Sequence, residues 1–136
     1  MRQLFPPVSP VVAPDLAGLY AYPDGQWLRA NMVSSADGAA SLDGVSKDLS
    51  SDADRQVFAL LRALADVVLV GAATVRAERY KPARPHELWR DLRSGRPPTP
   101  PIAVISARLD LDPDGPLIAA APLTRRVLRL PPGPAF

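Results

Sequence analysis

The spacing of apolar residues is most regular between Ser51 and Gly71. Val57, Leu60, Leu61 and Leu64 fall at i, i+3, i+4 and i+7, which predicts a helix with one apolar stripe for burial against a sheet. Ser51 followed by Asp54 has the form of a capping box, with Asp in place of the preferred Glu. Arg55 and Arg62, seven apart, are nearly superposed on another face. After Asp66 the period changes to an unbroken run, Val67-Val68-Leu69-Val70-Gly71, the pattern of a parallel strand buried on both faces. Upstream, Trp27 to Ser35 alternates loosely and predicts a strand with one protected face, ending at the turn dipeptide Asp37-Gly38. Strand, helix and strand make a β-α-β unit, so the fold class is α/β.

Downstream, Ile102 to Ser106 is a third strand candidate and Arg126 to Leu130 a fourth, with a turn at Asp112-Pro113-Asp114-Gly115-Pro116. Gly71 to Glu78 puts small residues at the C-terminal end of a strand and then a helical turn, the place where open α/β sheets hold ligands. Trp27, Phe58 and Leu69 are predicted core residues, and His86 a loop residue. Residues 1–26 read as a proline-rich leader closed by Pro23-Asp24-Gly25. Residues 27–130 read as a partial domain, with an irregular loop of six basic residues and six prolines at 79–101. Residues 131–136 read as a proline-rich tail.

Composition narrows the chemistry. There is no cysteine and a single histidine, so a disulfide framework, a thiolate or histidine-cluster metal site and a cysteine nucleophile are all excluded. The early apolar stretch is cut by Pro6, Pro7, Pro10 and Pro14, unlike a signal peptide. Nothing reaches the ~18 apolar residues of a spanning helix, and the expected location is the cytoplasm. The net charge of +2 is uneven: residues 1–78 carry six Lys/Arg against nine Asp/Glu, and residues 79–136 carry ten against five. A basic second half suits an anionic ligand or nucleic acid, and equally a solvated arginine-rich loop.

An ordered set of short pieces carries a resemblance. These are Ser34-Ser35-Ala36-Asp37-Gly38, Gly44-Val45-Ser46, Asp54-Arg55, Leu61-Arg62-Ala63, and the run from Ala65 to Glu78. In this order and spacing they resemble the pyrimidine reductases of riboflavin biosynthesis: the C-terminal domain of bacterial bifunctional deaminase-reductases and its stand-alone relatives. The resemblance implies a dihydrofolate reductase-like sheet flanked by helices, homodimeric when complete. It also implies NADPH-dependent reduction of the ribosyl group of a phosphoribosylamino-pyrimidine. The cofactor carries the hydride, so no catalytic nucleophile or triad is expected.

Residue by residue, the resemblance makes Ser34, Gly71, Thr74 and Glu78 cofactor-binding. Glu78 stands where the family usually has Asp, one methylene shorter. Ser46 and Arg62 match substrate-contacting positions, and Arg84 lies near a second substrate arginine. Each has an ordinary alternative: a turn serine, a helix cap at Thr74, or a solvated arginine. Asp37 is expected in a turn, and Asp48 replaces a tryptophan found in some members. The family's glycine-rich pyrophosphate segment and the glutamate beside it have no counterpart, since no Gly-Gly pair occurs and Glu87 is the last glutamate. The expectation is a domain incomplete at its C-terminal end, with activity impaired in this chain. Two alternatives stand beside it: a non-catalytic nucleotide-binding half-domain that needs a partner, and a small basic nucleic-acid-binding module. The second lacks interleaved aromatic platforms. The favoured partner is a small phosphorylated pyrimidine, with neither nucleic acid nor membrane expected.

Overall fold

The computed structural model describes residues 2–3, 9–10, 13–120 and 125–129. Parts of the predicted leader, Leu130 of the fourth strand candidate and the predicted tail at 131–136 lie outside them. In chain order, β1 (Arg2–Gln3) pairs antiparallel with β2 (Ser9–Pro10), and α1 (Ala13–Leu19) follows. Then come α2 (Asp52–Leu64), β3 (Val68–Gly71), α3 (Ala72–Ala77), β4 (Ile102–Ser106), α4 (Pro116–Ala119) and β5 (Arg125–Arg129). The last three strands form one parallel sheet in the order β3-β4-β5, with Val70 opposite Val104 and Val104 opposite Val127. The fold class is α/β, as expected.

The α2 helix begins where its cap predicts. The Ser51 hydroxyl accepts the amide N–H of Asp54 at 3.2 Å. The Asp54 carboxylate does not reach back to complete the box; it receives the Ser50 hydroxyl at 2.6 Å. Within the apolar stripe Leu60 and Leu61 are buried and Val57 and Leu64 half-buried, and the cluster around Leu60 is covered by helices where a sheet was expected. Leu60 and Ala63 pack with Leu16 of α1 and with Trp89, and Leu64 and Leu92 fill the margin.

Trp89 belongs to a 3-10 helix, Glu87–Arg93, inside the segment predicted to be an irregular loop. Tertiary packing supplies the order there. Trp89 is 3% exposed, and the buried Arg93 guanidinium donates to the carbonyls of Ala63 (3.0 Å), Ala65 (2.8 Å) and Pro97 (2.6 Å). Arg96 adds bonds to Ala63 at 3.2 Å and to Asp66 at 3.0 Å. Two arginines of the basic half thus satisfy the open carbonyls at the C-terminus of α2, where cations are also favoured by the helix dipole. Burial, and then the like charge of Arg96, pushes the Arg93 guanidinium below its usual value, while Asp66 pulls it back up.

The first predicted strand differs. Residues 27–35 form no strand, and Trp27, Leu28 and Met32 are 62%, 80% and 85% exposed. An extended segment gains stability only from ladder partners, and none of the described strands pairs with this one. Among the described residues β3 ends the sheet, and it is not a strand buried on both faces. Val68 and Val70 face a core with Ala72, Val75, Ile102, Val104 and Leu117, whereas Leu69 on the opposite face is 44% exposed. Phe58, at 38%, completes the set of predicted core residues that are exposed with Trp27 and Leu69. His86 is exposed at the start of the 3-10 helix, where its carbonyl accepts the Trp89 amide at 3.0 Å.

Candidate functional site

The predicted ligand edge is built where β3 meets α3. Ala72 and Val75 are buried and anchor the short helix, which leaves Gly71, Ala73 and Thr74 exposed. Gly71 has ordinary extended backbone and a methyl group added there would meet nothing within 4 Å, so neither backbone geometry nor a protein neighbour demands glycine and the surface above it is open. The Thr74 hydroxyl makes no hydrogen bond among the described residues. Its carbonyl accepts the amide of Glu78 at 3.0 Å, which closes the last turn of α3.

Glu78 meets Ser46 across 32 positions of sequence. The amide N–H of Ser46 donates to Glu78 Oε1 at 2.7 Å and the Ser46 hydroxyl donates to the same oxygen at 2.9 Å. The turn that brings Ser46 there is the Asp43-Gly44 pair, both at positive φ (50° and 82°), which Gly and Asp tolerate best. Leu42 and Val45 close it with reciprocal backbone bonds of 2.8 and 3.0 Å. Ser46 then leads into a 3-10 turn, Lys47–Leu49. Glu78 Oε2 receives no hydrogen bond from the described residues, so one carboxylate oxygen is structural and the other is free to accept.

Arg62 lies between the rings of Phe58 and Tyr80, its guanidinium carbon 4.2 and 5.3 Å from their centroids, and donates to the Tyr80 hydroxyl. Its Nε is buried with no partner among the described residues. Tyr80 reaches this position because Arg79 adopts a left-handed φ of 44°, after which the Tyr80 amide bonds the Val75 carbonyl at 3.0 Å. The sequence pointed to Arg62 but not to Tyr80, which has no periodic neighbours to mark it. Tyr80 also borders a groove of about 240 Å³, with Arg76, Arg79, Leu111 and Leu117.

The structure therefore brings Ser46 together with Glu78, and Glu78 closes the helix that carries Thr74. Arg62 is held two residues further along the chain, by Tyr80. The remaining candidates stand apart. Ser34 is exposed and enters no hydrogen bond among the described residues. Its neighbour Ser35 is the turn serine: it accepts the Ala39 amide at 2.9 Å and donates to the Asp37 carboxylate. Arg84 is exposed with neither a hydrogen bond nor an ion pair among the described residues, and Asp48 is exposed.

A family model of the RibD C-terminal domain matches residues 26–129, which include every candidate residue above. The chain belongs to the RibD C-terminal domain family. Among solved structures it is similar to a pyrimidine reductase-like protein from Corynebacterium diphtheriae, with 31% identity and a TM-score of 0.56 over 62% of this chain. The alignment covers 35% of that protein, so the chain spans about a third of its relative's length. No curated protein matches the chain. Family and neighbour agree with the dihydrofolate reductase-like α/β fold expected from the sequence. No helix of the described residues is long and apolar enough to cross a membrane, and those residues hold no cluster of three or more metal-ligating side chains.

Proposed function

We propose that this RibD C-terminal domain serves an NADPH-dependent reductase that converts the ribosyl group of a phosphoribosylamino-pyrimidine to ribityl in riboflavin biosynthesis. The complete protein works as a cytoplasmic homodimer. The observation that carries this reading is the junction of Ser46 with Glu78, a substrate-side residue and a cofactor-side residue by family likeness, now 2.7 Å apart. The donor set fits part of the cofactor. One exposed hydroxyl at Thr74, one free carboxylate oxygen at Glu78 and open space above Gly71 suit a ribose hydroxyl or a carboxamide.

When bound, NADPH supplies the hydride. Thr74 and Glu78 hold and orient the nicotinamide half from the last turn of α3. Ser46 faces the substrate from the adjoining turn, and Arg62, its orientation fixed by Tyr80, offers a charge to a pyrimidine carbonyl or phosphate. The work of these side chains is positioning two reactants against each other.

Calorimetric titration of the 136-residue chain with NADPH, with NADH alongside, tests this reading. The expected result is saturable binding that favours NADPH and is weakened about fivefold by Thr74→Ala, the loss of one neutral hydrogen bond. A folded chain that binds neither nucleotide would contradict it.

A further inference from the structure

Glu78 joins the end of α3 to the turn that carries Ser46. Both hydrogen bonds from Ser46 end on Oε1, while Oε2 stays open. A hydroxyl has a single proton, and Ser46 donates it to Glu78. We propose that Glu78 is a positioning residue that couples the substrate and cofactor sides of the site. It takes both donors of Ser46 on one oxygen, fixes the Asp43-Gly44 turn against the end of α3, and is itself oriented toward the cofactor by that grip. This inference rests on the cofactor role proposed above.

Two consequences distinguish the coupling from mere support of a turn. First, Ser46 meets a ligand only as a hydrogen-bond acceptor, so the substrate atom opposite it must be a hydroxyl or N–H donor and cannot be a bare phosphate oxygen. Second, Ser46 acts on NADPH only through Glu78. A side chain that works through another loses its effect when that intermediary is removed, which a double-mutant cycle detects.

The experiment has two arms. In the first, hydrogen exchange of the Ser46 amide is followed by NMR in the wild-type chain and in Glu78→Ala. Protection is expected in the wild type and its loss in the variant, while the Leu61 and Val104 amides keep theirs. Ser46 protection that survives Glu78→Ala overturns the proposal. In the second, NADPH affinity is measured for Ser46→Ala, Ser46→Thr, Glu78→Ala and Ser46→Ala/Glu78→Ala. Ser46→Ala should weaken binding about tenfold, the scale of one hydrogen bond to a charged group. Ser46→Thr should restore it, and the double variant should bind no worse than Glu78→Ala alone. Additive losses overturn the coupling. A wild-type chain that shows the exchange dependence but binds no NADPH overturns the proposed function and the coupling with it, and leaves only the contact.

Discussion

Asp37 and Ser35 illustrate how a side chain with a catalytic-looking identity is committed to local structure. Asp37 sits in an exposed turn closed by Gly38 at a φ of 90°, and the Ser35 hydroxyl bonds its carboxylate. That bond, before any other influence, holds the Asp37 carboxyl below the usual aspartate range. Because the folded value is the lower one, the ionised carboxylate favours the turn above the unperturbed pKa of about 3.9. The benefit is lost as pH falls through the depressed folded value. Ser35→Ala should move the Asp37 titration, followed by NMR, up toward the ordinary range, with the backbone bonds of the turn keeping part of the lowering; an unchanged midpoint would remove Ser35 as the main cause. The dipeptide Asp37-Gly38 announced its turn in the sequence. The distant pairs did not announce themselves: Ser46 with Glu78, and Arg62 with Tyr80, join positions separated by 32 and 18 residues. Family likeness marked three of those four side chains, and only packing revealed that they meet.

At the scale of elements, the local signals for α2, β4 and β5 were sufficient, because a capping serine, a 3.6-residue period and short apolar runs act within a few residues of one another. The 3-10 helix Glu87–Arg93 was hidden for the opposite reason. Its sequence has neither a helix period nor a cap, and it is held by Trp89 inserted beside Leu60 and by Arg93 on the end of α2. Arg93→Ala should therefore unfold more than its own segment. The carbonyls of Ala65 and Pro97 lose the Arg93 donor, the buried Ala63 carbonyl keeps only its 3.2 Å bond from Arg96, and the expected cost is about 2–4 kcal/mol in a urea titration. Arg93→Lys keeps the charge but cannot span the three acceptors, so it should recover only part of this. Ser51→Ala at the other end of α2 should cost about 1 kcal/mol, the usual value of an N-cap. If Arg93→Ala proved as mild as Ser51→Ala, the 3-10 helix would not be part of the cooperative core.

At the scale of the whole molecule, the sheet exposes what the sequence seemed to bury. The run Val67-Val68-Leu69-Val70 reads as a strand covered on both faces, yet β3 ends the sheet among the described residues, with Val67 46% and Leu69 44% exposed. An apolar run reports that burial is wanted, not that a covering element is present. An unpaired edge beside exposed apolar side chains is a template for pairing with another chain, and two copies related by a two-fold axis can meet edge to edge. Sedimentation velocity should accordingly find the chain self-associating as its concentration rises. Leu69→Lys, which places a charge on that face without entering the core around Val70 and Val104, should shift it toward monomer with its circular dichroism intact. A wild-type chain that stays monomeric throughout the concentration series would mean that the edge of β3 is not sticky in solution. An associating chain indifferent to Leu69→Lys would move the contact elsewhere, with the exposed Trp27 and Met32 as the next surface to test.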